Sequence, residues 1–213
     1  MDAKLAKKLQ QLLSRDTAGR ASLRLQADAQ RLIDQLASVA TLSLTPKPPL
    51  IDVLHLACYA LQLPMRQSDS LPVGKSGQLN LRQRSEQAAE LLVSEAGDLI
   101  EETTLDRVTR VLLDLPSREP ESDDARLLAD VVNLDDFGLT GLLASTVLLA
   151  TQGHGVSTLL EGAKKREQYG YWEARLRDGF HFPQIRVIAE KRLATMRAFL
   201  DRVEAEQAPP VSL

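Results

Sequence analysis

Aromatic side chains are scarce: four Phe, three Tyr and one Trp make up 4% of the 213 residues. A core built from this chain must therefore rest on aliphatic packing. A single cysteine, Cys58, excludes an internal disulfide and any cysteine-rich zinc site. It lies in the apolar run 53–63, which suits a small buried hydrophobe better than a nucleophile. The three histidines, His55, His154 and His181, stand too far apart in sequence to form a close ligand pair. No run approaches the roughly 18 apolar residues of a membrane span. Residues 1–11 interrupt Leu5 and Leu9 with lysines, so no secretory signal is expected. Nor does one sign of charge dominate. With 26 Lys and Arg against 29 Asp and Glu, the net charge is -3 and the pI about 5.7. That leaves no basic field to attract nucleic acid or an anionic membrane, and a cytoplasmic protein is expected. Common catalytic motifs are missing too: there is no Gly-x-Ser-x-Gly elbow, phosphate loop or Gly-x-Gly-x-x-Gly fingerprint. The triplet Gly74-Lys75-Ser76 lacks the upstream glycine of a phosphate loop, and no strand precedes it.

What is present is helical. Hydrophobic residues form 44% of the chain and charged residues 26%, with Leu and Ala supplying most of the apolar share, a balance that favours helices over strands. Residues 1–14 place Leu5, Leu9, Leu12 and Leu13 opposite Lys4, Lys7 and Lys8, an amphipathic helix that must lie on this chain or on a partner. After a break at 14–19, Leu25, Ala29, Leu32, Leu36 and Val39 mark a second helix. Pro46, Pro48 and Pro49 stiffen a connector. The run 50–63 is apolar nearly all round, as a central core helix would be. Residues 64–82 read as a long mobile surface insertion. Further helices are expected over 86–95 with Ser85 as cap, from Thr103 to 115 through a capping box with Asp106, and from Ser122 or Asp123 to 134. Beyond Gly138 the spacing predicts helices over 139–150 and 159–168 and a turn-rich stretch over 169–182. A last helix, 184–206, should face the core with Ile185, Ile188, Ala189, Leu193, Met196, Phe199, Leu200 and Val203. No period-two alternation long enough for a strand appears, and no internal repeat.

Two segments carry a family resemblance. Ala129-Asp130-Val131-Val132-Asn133-Leu134-Asp135-Asp136-Phe137-Gly138 resembles the Asp-Ala-Asp-x-Leu-Asp-x-x-Gly segment of the HD superfamily of metal-dependent phosphohydrolases. The stretch from His181 through Arg192 and on to Glu204 is similar to the closing helix of small bacterial HD proteins. The resemblance covers the chain from about Arg20 onward and implies an all-α fold, a single HD-domain-like helical bundle over 16–207. The 64–82 loop would interrupt it, the helix 1–15 would precede it and a flexible tail 208–213 would follow.

The resemblance also implies a metal site, and here the chain departs from the pattern. Active members hold a divalent metal with an early histidine, a His-Asp doublet and a distant aspartate, leaving positions open for water and phosphate. Nothing before residue 55 is histidine, and the best register sets Leu61 and Gln62 where the doublet belongs. A second register keeps His55 but sets Leu56 in place of the aspartate. Asp130 and Asp135 match family positions, while Val132 replaces an aspartate. Leu61, Gln62, Asp130, Val132 and Asp135 are thus candidates for a vestigial site with no catalytic residue, metal or cofactor. Lost ligands matter because the metal and its activated water supply most of the rate enhancement.

The expectation is a pseudoenzyme: an inactive HD-like protein that binds a protein partner or a small phosphorylated ligand. Lys164, Lys165, Arg166, Arg175 and Arg177, beside Tyr169, Tyr171 and Trp172, are candidates for an anion patch, although a solvated helix face with an aromatic anchor explains them as well. One alternative is a nucleotide phosphohydrolase with a site rebuilt from His55, Asp130 and Asp135. Another is a homo-oligomeric adaptor that uses the first helix as a zipper-like surface.

Overall fold

The computed structural model describes residues 3–14, 20–45, 47–66 and 79–207. Most of the 64–82 insertion, the Gly74-Lys75-Ser76 triplet, Pro46, the break at 15–19 and the tail 208–213 lie outside the described residues. Among those described there are ten α-helices and no strand, so the fold is all-α. Contacts gather into two compact units, Met1–Val131 and Val132–Leu213.

In the first unit, α1 (Ala3–Ser14) buries Leu5, Leu9, Leu12 and Leu13 against α2 (Arg20–Ala40) and α4 (Leu81–Ala96). The amphipathic helix thus packs on its own chain, which removes the leucine face that a zipper would need. Each buried leucine contributes about 2 kcal/mol, and this burial is what makes a 12-residue helix stable. Arg66 pins the docked helix. It lies at the end of a 3-10 turn, Leu63–Arg66, and its guanidinium donates to the Leu12 carbonyl at 3.2 Å and to both Glu95 oxygens at 2.5 and 3.1 Å. The α2 stripe Leu25, Ala29, Leu32, Leu36 and Val39 is buried as its spacing predicts. Helix α3 (Ile51–Ala60) is the central helix, with seven of its ten residues buried.

Helix starts differ from the sequence expectation in two places. Asn80, not Ser85, caps α4: its side chain accepts from the Gln83 N–H while the Gln83 side chain accepts from the Asn80 N–H. An Asn-x-x-Gln box satisfies two end donors where a cap at Ser85 would satisfy one, so the helix starts five residues earlier. Ser85 is instead buried inside the helix, donating to the Leu81 carbonyl at 2.7 Å. Likewise Glu101, not Thr103, caps α5 (Glu102–Asp114), accepting from the backbone and hydroxyl groups of both Thr103 and Thr104. Helix α6 (Asp123–Asp135) opens at Ser122, whose hydroxyl accepts from the Ala125 N–H at 3.1 Å.

The second unit holds α7 (Leu139–Thr151), α8 (Val156–Gln168), α9 (Tyr171–Asp178) and α10 (Pro183–Gln207). Helix α9 corrects the turn-rich reading of 169–182. Gly170, in the left-handed region at φ 61°, and Gly179 bracket one eight-residue helix. The inward stripe of α10 is shorter than predicted: Ile185, Ala189, Leu193 and Met196 are buried, but Phe199 is 39% exposed. No single described helix is long and apolar enough to cross a membrane.

Candidate functional site

The segment that carries the family resemblance ends in a clasp within the second unit. Asn133 and Asp136 leave the end of α6 facing α9, where Arg175 receives both: Nη2 donates to the Asn133 side-chain oxygen at 2.6 Å and Nη1 to Asp136 Oδ2 at 2.9 Å. Nη1 also reaches the Tyr171 hydroxyl at 2.5 Å. Asn133 completes the circuit by donating its amide to the Gly179 carbonyl. Below this polar layer Phe137 is buried, meeting the Trp172 and Phe180 rings edge to face at 5.1 and 5.4 Å.

Gly138 follows with φ +90°, a conformation that L side chains rarely adopt, and a Cβ there would stand 3.0 Å from Arg192 Cβ. The glycine therefore serves a close helix approach. Burial lowers the Arg192 pKa, and the nearby Asp135 carboxylate opposes that shift. The acid thus works electrostatically on an arginine.

The residues matched to metal positions are placed as follows. Leu61 is wholly buried just after α3, and Gln62 is 3% exposed in the same turn. His55 is half-buried on α3, and burial lowers its pKa while the Asp52 carboxylate opposes the shift. In α6 Asp130 is fully buried, whereas Val132 and Asp135 are half-buried. Five residues along an α-helix turn through about 140°, so Asp130 and Asp135 do not share a helix face. Among the described residues no group of three or more His, Cys, Asp or Glu side chains is gathered as a metal site would require.

The five cations proposed as an anion patch are not drawn to one point. Arg175 is turned into the clasp. Lys164 pairs with Glu204 on α10 at 2.5 Å, and Arg177 pairs with its neighbour Asp178 at 2.8 Å. Lys165 is exposed, and Arg166 lies 5.6 Å from the centroids of both the Tyr171 and Trp172 rings. Lys165 and Arg166 occupy the last turn of α8, whose negative dipole end favours cations and opposes an incoming anion. The aromatic anchor beside a solvated helix face is thus the arrangement observed.

Sequence reasoning did not single out the cleft between α8 and α10. It has a volume of about 400 Å³, with Leu160, Ala163 and Leu200 as its apolar floor. At its rim Arg197 donates to Glu167 at 2.8 and 2.6 Å and to Glu173 at 2.6 Å. The Glu167 bonds, with those of Glu173, raise the Arg197 pKa well above its ordinary range, and the same arginine lowers that of Glu173. The signal for this pairing lay in the 30-residue separation of Glu167 and Arg197, which helical spacing within one element cannot reveal.

Comparison with solved structures finds the same fold in Bacillus subtilis YpgQ. A crystal structure of YpgQ in complex with ADP matches with a TM-score of 0.55 and 16% identity, over 98% of this chain and 100% of that one. A second YpgQ structure matches with a TM-score of 0.55 and 17% identity, over 98% of both chains. No protein-family model matches the chain, and no curated protein matches its sequence.

Proposed function

We propose that this chain is an HD-like protein that has given up metal-dependent hydrolysis and now binds a small phosphorylated ligand. The observation that carries the reading is the wholly buried Leu61 at the place where the resemblance requires a metal-binding histidine, next to a buried neutral Gln62. Neither supplies an imidazole nitrogen or a carboxylate, and restoring such groups there would bring polar atoms into a packed core. The Asn133-to-Gly138 end of the family segment supports the same reading, since its side chains are engaged by Arg175, Trp172 and Phe180. YpgQ, which shares the fold, has been crystallised with ADP, and this makes a nucleoside diphosphate the first ligand to test.

Calorimetric titration with ADP, run beside a phosphate-release assay with added manganese, tests the proposal. Saturable binding without turnover is the expected result; turnover would refute it. The rival hydrolase would rely on His55, Asp130 and Asp135 for one ion, and the full burial of the Asp130 carboxylate is the observation in its favour. It predicts manganese-dependent turnover that Asp130→Asn abolishes.

A further inference from the structure

The cleft between α8 and α10 lies wholly within the second unit. Its lining residues recur three and four positions apart, from 160 to 168 on α8 and from 197 to 204 on α10, so each wall is one helix face. Two ion pairs bridge the walls, Lys164 with Glu204 and Arg197 with Glu167. From Arg197 to Glu204 the axis of α10 rises by about 10 Å, which leaves an opening between the two bridges. Asp201, one turn beyond Arg197, borders that opening.

The charges of the cleft do not balance. Both of its cations are committed, Lys164 to Glu204 and Arg197 to Glu167 and Glu173 together. Asp201 has no hydrogen bond or ion pair among the described residues, so its charge stands uncompensated beside the apolar floor of Leu160, Ala163 and Leu200. An anion entering here would meet no uncommitted cation. An ammonium group would gain a charge-assisted bond at Asp201 and leave both bridges intact. The floor supplies the other half of the recognition, since its side chains carry no polar atom and can shelter an aliphatic body from water. No aromatic ring lines the cleft, so it lacks the cage that quaternary ammonium groups favour. A primary ammonium, with three N–H donors, suits a carboxylate instead. The volume of about 400 Å³ falls within the range of roughly 300 to 1,000 Å³ that small-molecule sites occupy.

We propose that this cleft binds a small primary amine with an aliphatic body, its ammonium held by Asp201 and its chain lying on Leu160, Ala163 and Leu200. The site is separate from that of the phosphorylated ligand, because its surplus of carboxylates opposes a phosphate.

Amide NMR spectra of the full chain titrated with hexylamine test it. Saturable shifts centred on residues 160–168 and 197–204 are expected, while hexanoate, the same chain with an anionic head, should leave those signals in place. Asp201→Asn, isosteric at an exposed position, is expected to weaken hexylamine about tenfold, and Asp201→Glu to restore most of the affinity. A lysine blocked at both ends, which carries the same head on a peptide link, should bind more weakly because its amides cannot settle on the floor. Hexylamine shifts that do not saturate overturn the proposal, as do equal shifts from hexanoate or ADP at these residues, or an unchanged affinity in Asp201→Asn. Tighter binding of the blocked lysine overturns it as well, by assigning the cleft to a protein side chain. The ADP titration described above reports on the other reading alone, so the two can fail separately.

Discussion

Arg175 donates to the Asn133 side-chain oxygen at 2.6 Å, and Asn133 donates in turn to the Gly179 carbonyl at the end of the helix that carries Arg175. One amide thus ties the end of α6 to both a side chain and the backbone of α9. Arg175→Ala is expected to lower stability by about 2 kcal/mol, the scale of losing charge-assisted bonds at a site where the arginine side chain is 23% exposed. Arg175→Lys should recover little, since an ammonium cannot fork between Asn133 and Asp136. Urea unfolding of the three proteins checks this.

Gly138→Ala tests the close approach behind the clasp. The substitution forces an alanine to φ +90° and sets its Cβ 3.0 Å from Arg192 Cβ. A loss of about 2 kcal/mol is expected, from backbone strain and displacement of the arginine stem. Gly153→Ala is the control: it has a similar φ of +80° but nothing within 4 Å of the new Cβ, so a smaller loss in thermal unfolding is expected.

Arg66→Ala should release α1. The Arg66 side chain is 6% exposed and Glu95 17%, so removing the cation leaves a largely buried carboxylate and the Leu12 carbonyl without this donor. The expected cost is about 3 kcal/mol. Limited trypsin digestion should cut at the lysines of α1 several times faster in the variant than in the wild type.

The sequence makes the helices legible wherever an apolar stripe repeats, and α1, α2 and α3 lie where their leucines and valines predict. Helix starts were less legible because competing caps lie close together: Asn80 against Ser85, and Glu101 against Thr103. In each case the structure uses the upstream residue: the Asn80 and Gln83 side chains together satisfy two end donors of α4, and the Glu101 side chain satisfies two of α5. Helix α9 escaped notice because eight residues between two glycines give too few turns to show a period. At the candidate site, the burial of Leu61 could be read from the apolar run 50–63. The clasp could not, since it joins residues some 40 positions apart.

Below neutral pH, His55 should govern part of the stability. Burial lowers its folded pKa beneath the ordinary 6.5, so the unfolded chain takes up a proton first as pH falls. The stabilisation from its neutral form is therefore complete above pH 6.5 and declines as pH drops through 6.5 toward the folded value. Thermal unfolding midpoints between neutrality and about pH 5 should fall in the wild type, and His55→Gln should flatten that slope. An equally steep slope in the variant would assign the effect to another group.

Metal content tests most directly the proposal that the chain is HD-like and has left hydrolysis behind. Elemental mass spectrometry on protein equilibrated with excess manganese and then desalted should find far less than one ion per chain, as the proposed register, with Leu61 and Gln62 in place of the doublet, requires. One tightly held ion per chain, lost in Asp130→Asn, would contradict the account.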